Sequence, residues 1–204
     1  VNSNLPLTTP WRVIMVGNTL KPIVESSLIL NLNPPTELEN TRWIEPGMST
    51  FPWLSDHGVN SKMERLKEFV DLAVEMGWKW IEFDNALAFG IDTGSKTPFA
   101  EWMQIQWIPE FIAYANSKGI KVTGWDNWDN LDTPEKRDSI LGYYQQHGFS
   151  GIKVDFLDSD SQERFQFRDI IIRECARRQL MISFHGATLP RGQQRSWPHI
   201  ATWE

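Results

Sequence analysis

The sequence predicts an α/β protein, an incomplete (β/α)8 barrel of the TIM type holding about six of the eight βα units. Three observations lead there. Strand-like and helix-like stretches alternate from Trp43 to the last residue, which implies parallel pairing with right-handed crossovers. Neither a G-x-G-x-x-G turn nor a P-loop is present, which argues against a doubly wound sheet built around a dinucleotide or a phosphate. Finally, Asp84, Asp126, Asp155, His185 and Glu204 each close a strand-like stretch, the position at which a barrel collects its chemistry.

Taken in order, residues 1–40 read as a linker leading into the barrel and residues 41–204 as the partial barrel itself. Pro6, Thr8, Thr9 and Pro10 give an extended start without amphipathic period. Arg12 to Gly17 (RVIMVG) predicts a short strand of the buried type, and Asn33-Pro34-Pro35 stops the segment after it. Met48 to Trp53 is strand-like. Ser61 and Glu64 have the spacing of a capping box, ahead of Met63, Leu66, Phe69, Val70, Ala73 and Val74 at helical intervals up to Gly77. Lys79 to Asp84 predicts the second strand, and Pro109 to Lys118 a helix stopped by Gly119. Ile120 to Asp126 is the third strand. Thr133-Pro134 supplies an N-cap and a first-turn proline to the next helix, which Gly148 closes. Gly151 to Leu157 is the fourth strand, and Asp160 with Glu163 predicts the cap of a helix carrying Phe167, Ile170, Ile171 and Cys175. Leu180 to His185 is the fifth strand, and His199 to Glu204 begins a sixth. A whole barrel typically takes about 250 residues, so the 204 residues are expected to hold most of one.

Composition narrows the function. With 41% hydrophobic residues the chain can bury a sizeable core. Its net charge of −6 disfavours nucleic acid as a partner, because phosphate contacts need a basic face. No apolar run approaches the ~20 residues of a membrane span, and no signal-peptide pattern opens the sequence. Cys175, the single cysteine, forms no internal disulfide. The unusual number is 11 Trp. Indole faces stack on the C–H faces of sugars, which tilts the reading toward carbohydrate, although ordinary packing also uses tryptophan.

Asp155 is the most informative residue. It ends an apolar strand, K-V-D-F, where burial of an unpaired carboxylate is costly. At a barrel mouth the same group serves as nucleophile or base. Glycoside hydrolysis characteristically uses a pair of carboxyl groups, and Asp84, Asp126 and Glu204 are the other strand-end acids. Each either meets sugar hydroxyls or orders the rim. His185 is either a sugar contact or a satisfied core histidine. Asp158 and Asp160 read as a solvated loop with a helix cap. Trp53, Trp125 and Trp197 fall at strand ends or rim loops, as candidates to stack on a sugar ring. No His/Cys cluster suggests zinc and no G-x-S-x-G elbow is present. Carboxylates without thiolates suit a hard cation such as Ca²⁺.

The stretches TPWRVIMVGN (9–18), LNLNPP (30–35), WIEPG (43–47), GIKVDFLDSDSQ (151–162) and FHGATLPRGQQRSWPH (184–199), with ATWE at the end, together resemble glycoside hydrolase family 97. The resemblance spans nearly the whole chain and is most specific over 151–204. It implies a (β/α)8 catalytic barrel preceded by a β-sandwich and followed by a smaller β domain. It also implies exo-action on terminal α-glycosides of an oligosaccharide or polysaccharide, one Ca²⁺ held by glutamates, and a periplasmic or secreted bacterial location.

Within that family the inverting α-glucosidase branch lacks the strand-four aspartate and places base glutamates at positions matching Leu157 and Gly186. The retaining α-galactosidase branch has the aspartate and a glycine after the strand-five histidine, as Asp155 and Gly186 stand here. By this resemblance Asp155 is the nucleophile of a covalent galactosyl-enzyme and Glu204 a calcium ligand. The acid/base glutamate is expected six residues beyond Glu204, so the sequence names a reaction it is not expected to perform alone. His185, Asp84, Asp126, Trp125 and Trp197 are the candidate sugar contacts. FPWLSDHG (51–58), KVTGWDNW (121–128) and TLPRGQQRSWP depart from the family's commoner versions, and such positions shape the pocket. A β-L-arabinopyranoside, which shares the ring stereochemistry of an α-galactoside, suits the same pattern. An α-glucosidase of the same family and a non-catalytic carbohydrate-binding barrel are the alternatives.

Overall fold

The computed structural model describes residues 3–9, 12–36, 38–56, 58–84 and 101–204. Pro10, Trp11 and His57, which belong to the quoted motifs, lie outside the described residues. Two one-turn helices, α1 (Lys21–Val24) and α2 (Leu28–Asn31), come first. Six strands succeed them, β1 (Ser49–Thr50), β2 (Trp80–Phe83), β3 (Lys121–Asn127), β4 (Gly151–Asp155), β5 (Met181–Phe184) and β6 (Ile200–Trp203). Between them run helices α3 (Met63–Glu75), α4 (Trp107–Ser117), α5 (Pro134–His147) and α6 (Gln162–Arg177). A single 3-10 turn, Gln193–Arg195, takes the place of a helix between β5 and β6.

All pairings are parallel and the strand order is β1-β2-β3-β4-β5-β6. A doubly wound sheet must reverse its strand order at a switch point. This one never does, so it curls in one direction with its helices on one side. Alternation along each strand then sorts the side chains. Ile81, Phe83, Val122, Ile152, Val154, Ile182, Phe184 and Ile200 meet Leu66, Val70, Phe111, Ile112, Ile140, Leu141, Tyr144, Ile171 and Ile172 in one apolar core. Burying each such side chain contributes about 1.5–3 kcal/mol. The alternate positions, among them Glu82, Asp84, Trp125, Lys153, Asp155 and His185, point to the other face.

One position on the helix side has no room for a side chain. A Cβ on Gly124 would collide with the ring and hydroxyl of Tyr144, which donates to the carbonyl of Trp125 at 3.4 Å. Glycine there lets α5 close onto β3.

The helix signals are met in part. Thr133 caps α5, its hydroxyl accepting from the Lys136 amide at 3.3 Å, and Gly148 ends the helix in the left-handed conformation at φ 80°. The expected capping box at Ser61 does not form. Val59–Ser61 is a 3-10 turn in which the Ser61 hydroxyl donates to the Gly58 carbonyl at 2.8 Å, leaving Lys62 as an N-cap without a side-chain bond. For α6 the cap is Ser161, which accepts from the Arg164 amide, while Asp160 accepts from the Thr188 hydroxyl and ties two loops together.

The strand expected over Arg12 to Gly17 is absent. These residues are coil, and Val16 is 90% exposed. A buried-type strand needs neighbours on its edges and faces, and no described strand precedes β1. The contacts of this region come from α2 and the turn after it: Arg195 donates to Asn31 Oδ1 at 2.7 Å, Asn33 Nδ2 to the Arg191 carbonyl at 2.7 Å, and the Ser196 hydroxyl to the Pro34 carbonyl at 2.6 Å.

At the start of β6, His199 is fully buried between the Trp43 and Trp197 rings, and its Nε2 lies 3.0 Å from the Ile172 carbonyl. Burial pushes its pKa down to about 4 from 6.5, against the hydrogen bond to Ile172. Between those values the unfolded chain binds a proton that the folded chain refuses, so this contribution is complete above about pH 6.5 and is lost as pH falls. The expected loss between pH 7 and pH 5 is about 2 kcal/mol of unfolding free energy. Urea titrations at both pH values check it: the difference should shrink in His199→Gln, and an equal slope in the variant would show that His199 is not its source.

Candidate active site

The C-terminal ends of the strands frame a cavity of about 440 Å³, within the range typical of small-molecule sites. Its polar lining comprises Asp84, Lys153, Asp155, His185 and Glu204. Its apolar lining comprises Phe51, Trp53, Leu54, Trp125 and Phe156.

Asp155 is the last residue of β4 and is buried. Three donors fix its carboxylate. The Trp125 indole N–H donates to Oδ2 at 2.9 Å, His185 Nδ1 lies 2.8 Å from the same oxygen, and the Phe156 amide donates to Oδ1 at 2.5 Å. Each donor is placed by local structure. Trp125 shares the inner face of the neighbouring strand, in register with Lys153. His185 continues β5, its amide donating to the Val154 carbonyl at 3.0 Å. The Phe156 amide follows Asp155 directly in the chain, and Phe156 itself has φ 57°, a left-handed conformation that is uncommon for an aromatic residue. The hydrogen bonds offset the desolvation a buried carboxylate suffers.

Two residues earlier on the same strand face, Lys153 is only 4% exposed. Its ammonium pairs with Glu82 at 3.0 Å, Asp84 at 3.2 Å and Glu204 at 2.7 Å, and lies 4.7 Å from the centre of the Phe51 ring. Burial pulls the Lys153 pKa down, but the three carboxylates outweigh it and hold it above the ordinary lysine value. Burial dominates at Asp84 and pushes its pKa up to about 8, with Lys153 opposing and Glu82 reinforcing the rise. Asp84 is the most buried of the three carboxylates that share this one ammonium, so it is the one that keeps its proton near neutral pH.

Five predicted site residues therefore come together: Asp155, His185, Asp84, Trp125 and Glu204. Trp53 joins them. Asp126 does not. Trp125 and Asp126 are consecutive on β3 and cannot share a face. Asp126 is in register with Val154, on the helix side, and its Oδ1 accepts from the Asn127 amide at 2.8 Å and the Asn130 side chain at 2.7 Å. Trp197 is also elsewhere. It precedes β6 and so sits at the entrance of that strand, under the Arg173 guanidinium at 4.9 Å and edge-on to His199. Lys153, Glu82, Leu54 and Phe156 are site residues that the strand-end pattern does not pick out; the two-residue period of K-V-D was the signal for Lys153.

The two positions that matched bases in the inverting pattern face away from such a role. Leu157 is buried in the apolar core. Gly186 has φ 60°, and a Cβ there would collide with the Asp158 carboxylate. Asp158 is held in that place by its amide, which donates to the Gly186 carbonyl at 2.7 Å.

Ca²⁺ takes six to eight oxygen ligands. Among the described residues no group of three or more His, Cys, Asp or Glu is arranged to hold a metal. Glu204 offers one carboxylate, already paired with Lys153, and does not make a calcium site by itself.

Known proteins resemble this chain in sequence and in fold. The family Glycoside hydrolase 97 matches residues 43–204, and the family Glycosyl-hydrolase 97 N-terminal matches residues 1–35. A probable retaining alpha-galactosidase of Streptomyces bingchenggensis is 35% identical over all of this chain and 32% of its own length. A retaining alpha-galactosidase of Bacteroides thetaiotaomicron is 26% identical over 98% of the chain and 30% of its own length. The chain thus spans about a third of the length of these curated relatives. Among solved structures, a beta-arabinopyranosidase superposes with a TM-score of 0.75 at 27% identity, over 90% of this chain and 29% of that one. A family 97 enzyme from a Pseudoalteromonas strain superposes at 0.71 over 92% of this chain and 34% of its own, with 16% identity, a likeness of fold alone. The family match covers most of the chain and the solved relatives share its strand arrangement: the chain belongs to glycoside hydrolase family 97.

Proposed function

We propose that the protein is a retaining exo-α-galactosidase in which this chain forms most of a (β/α)8 catalytic barrel and Asp155 is the nucleophile. The observation that carries the reading is the carboxylate of Asp155, oriented by Trp125, His185 and the Phe156 amide at a cavity where Leu157 and Gly186 supply no base. An inverting reaction needs a base to activate water. A retaining one needs an immobilised carboxylate beside the anomeric carbon.

In the first step an oxygen of Asp155 attacks the anomeric carbon. The bond to the leaving oxygen breaks, and its electron pair leaves with that oxygen, which takes a proton from the acid. The family pattern places that acid six residues after Glu204. Water then attacks the same carbon, returns a proton to that residue as base, and releases Asp155. Among the described residues Oδ1 has a single donor and so keeps lone-pair capacity for attack. Protonated Asp84 donates to a sugar hydroxyl from the cavity floor, while Lys153 holds Glu82, Asp84 and Glu204 in place.

Calcium belongs to the proposal through Glu204, which resembles a family ligand; when bound, the ion would act as a Lewis acid at the glycosidic oxygen. Further ligands would have to come from outside the described residues. The relatives named as retaining alpha-galactosidases support the galactoside. A β-L-arabinopyranoside is the second reading, supported by the superposition on a beta-arabinopyranosidase. Rates on the two nitrophenyl glycosides separate them.

Replacing Asp155 with Ala should lower turnover by at least roughly a thousandfold. Azide should restore activity and yield the β-galactosyl azide, seen by NMR; activity that survives the substitution, with no azide product, would rule out Asp155 as nucleophile. Lys153→Met leaves Glu82 and Glu204 without their cation beside the carboxyl of Asp84, and should cost about 3 kcal/mol of unfolding free energy at pH 7.5. That deficit should narrow at pH 5.5, as the carboxyls take up protons, and urea titrations at the two values test it. Dialysis against a chelator should abolish hydrolysis and added Ca²⁺ should restore it; full activity in the metal-free protein would remove calcium from the proposal.

A further inference from the structure

Exposure grades across the cavity. Asp84 and Lys153 are buried on its floor, whereas Phe156 is 44% exposed and Leu54 70% exposed at its mouth. A sugar ring held by hydroxyl contacts to the floor therefore directs its leaving group outward, past these two apolar side chains.

Phe156 is an unexpected residue for that place. Its backbone is left-handed at φ 57°, a conformation that costs a residue bearing Cβ but not glycine. The amide bond to Asp155 would be available equally from glycine. Packing does not account for the ring either, since much of it faces solvent and its aromatic neighbour among the described residues is Trp125, edge-on at 6.0 Å. Backbone strain combined with exposed apolar surface, next to the residue that attacks, is the pattern of a side chain kept for a ligand.

We propose that Phe156, together with Leu54, is the contact surface for the leaving group, favouring α-galactosides whose aglycone presents a flat ring or the C–H face of a second sugar. The inference rests on the retaining α-galactosidase reading and adds the subsite that selects the aglycone. Edge-on support from Trp125 fixes the ring over the mouth. Trp125 also donates to Asp155, so the leaving-group surface and the nucleophile share one rigid support.

The test compares 4-nitrophenyl α-galactoside with α-galactosyl fluoride, two substrates with weakly basic leaving groups that lean little on acid catalysis and differ in ring surface. The full-length enzyme is assayed as the parent, as Phe156→Gly and as Leu54→Ala. Phe156→Gly keeps the amide donor and relieves the backbone. The ratio of kcat/KM for the aryl galactoside to that for the fluoride should fall about tenfold in Phe156→Gly and about threefold in Leu54→Ala, chiefly through KM. Losses equal on both substrates would show that Phe156 acts only through Asp155 and would overturn the proposal, as would unchanged ratios in both variants. A parent enzyme that cleaves neither substrate would instead overturn the α-galactosidase reading, and the aglycone surface with it. Should Phe156→Gly fail to fold, Leu54→Ala decides alone, because its side chain is 70% exposed and lies outside the apolar core of the described residues.

Discussion

Three carboxylates from β2 and the end of β6 converge on the ammonium of Lys153, deep between the strands of a parallel sheet. Barrel interiors are usually closed by branched apolar side chains. Here the layer beneath the cavity is ionic, and its geometry constrains everything above it. Lys153 reaches its partners because β4 is flanked by β3 and β5 and projects from the middle of the curl. Remove the cation and Glu82 loses its partner while Asp84 and Glu204 lose the atom that draws them together. With it, they are fixed within a hydrogen-bond length of one atom, and the floor of the site is rigid before any ligand arrives.

The same strand carries two opposite electrostatic solutions two residues apart. Lys153 meets the carboxyl groups of Glu82, Asp84 and Glu204, and at Asp84 burial outweighs the attraction and leaves the group protonated near neutral pH. Asp155 meets neutral donors, an indole and an amide, together with His185. Its charge is held in position without being cancelled by a lysine or arginine. A carboxylate meant to attack carbon must be ordered and still nucleophilic, and hydrogen bonds to neutral groups do that better than a salt bridge. Burial raises the pKa of Asp84, while hydrogen bonds order the carboxylate of Asp155, and the two like groups thereby suit different roles.

Sequence periodicity revealed the parallel sheet because each βα unit is local: a run such as GIKVD, flanked by a glycine and a cap, folds the same way wherever the sheet is. Asp155, His185 and Glu204 were legible as strand ends for that reason. Asp126 was not, since ending a strand says nothing about which face a residue takes, and only the register with Val154 puts it among the helices. Trp197 failed for the mirror reason: it lies in a loop, but at the entrance to β6 and not at an exit. The RVIMVG stretch reads as a strand by composition, yet a strand is a relation to neighbours, and none is present among the described residues. Phe156 and Leu54 carry no periodic signal at all. Their importance comes from exposure beside a buried polar floor, a property that exists only once the chain has folded.

The turn after β4 links the fold to the choice of mechanism. Over four residues the backbone alternates between ordinary and left-handed conformations, with positive φ at Phe156 and Asp158. This sends Asp155 and Phe156 to the cavity, drives Leu157 into the core, and returns Asp158 to lock against Gly186. An acid at 157 would have to be buried among aliphatic side chains, and one at 186 would have to displace the carboxylate of Asp158 while adopting a backbone that suits glycine. Moving the base of an inverting enzyme into this framework is therefore not a matter of single substitutions. The Asp155 carboxylate, the Phe156 turn, Leu157 in the core and the Asp158–Gly186 contact form one unit, and a change in any of them alone meets the packing of the others.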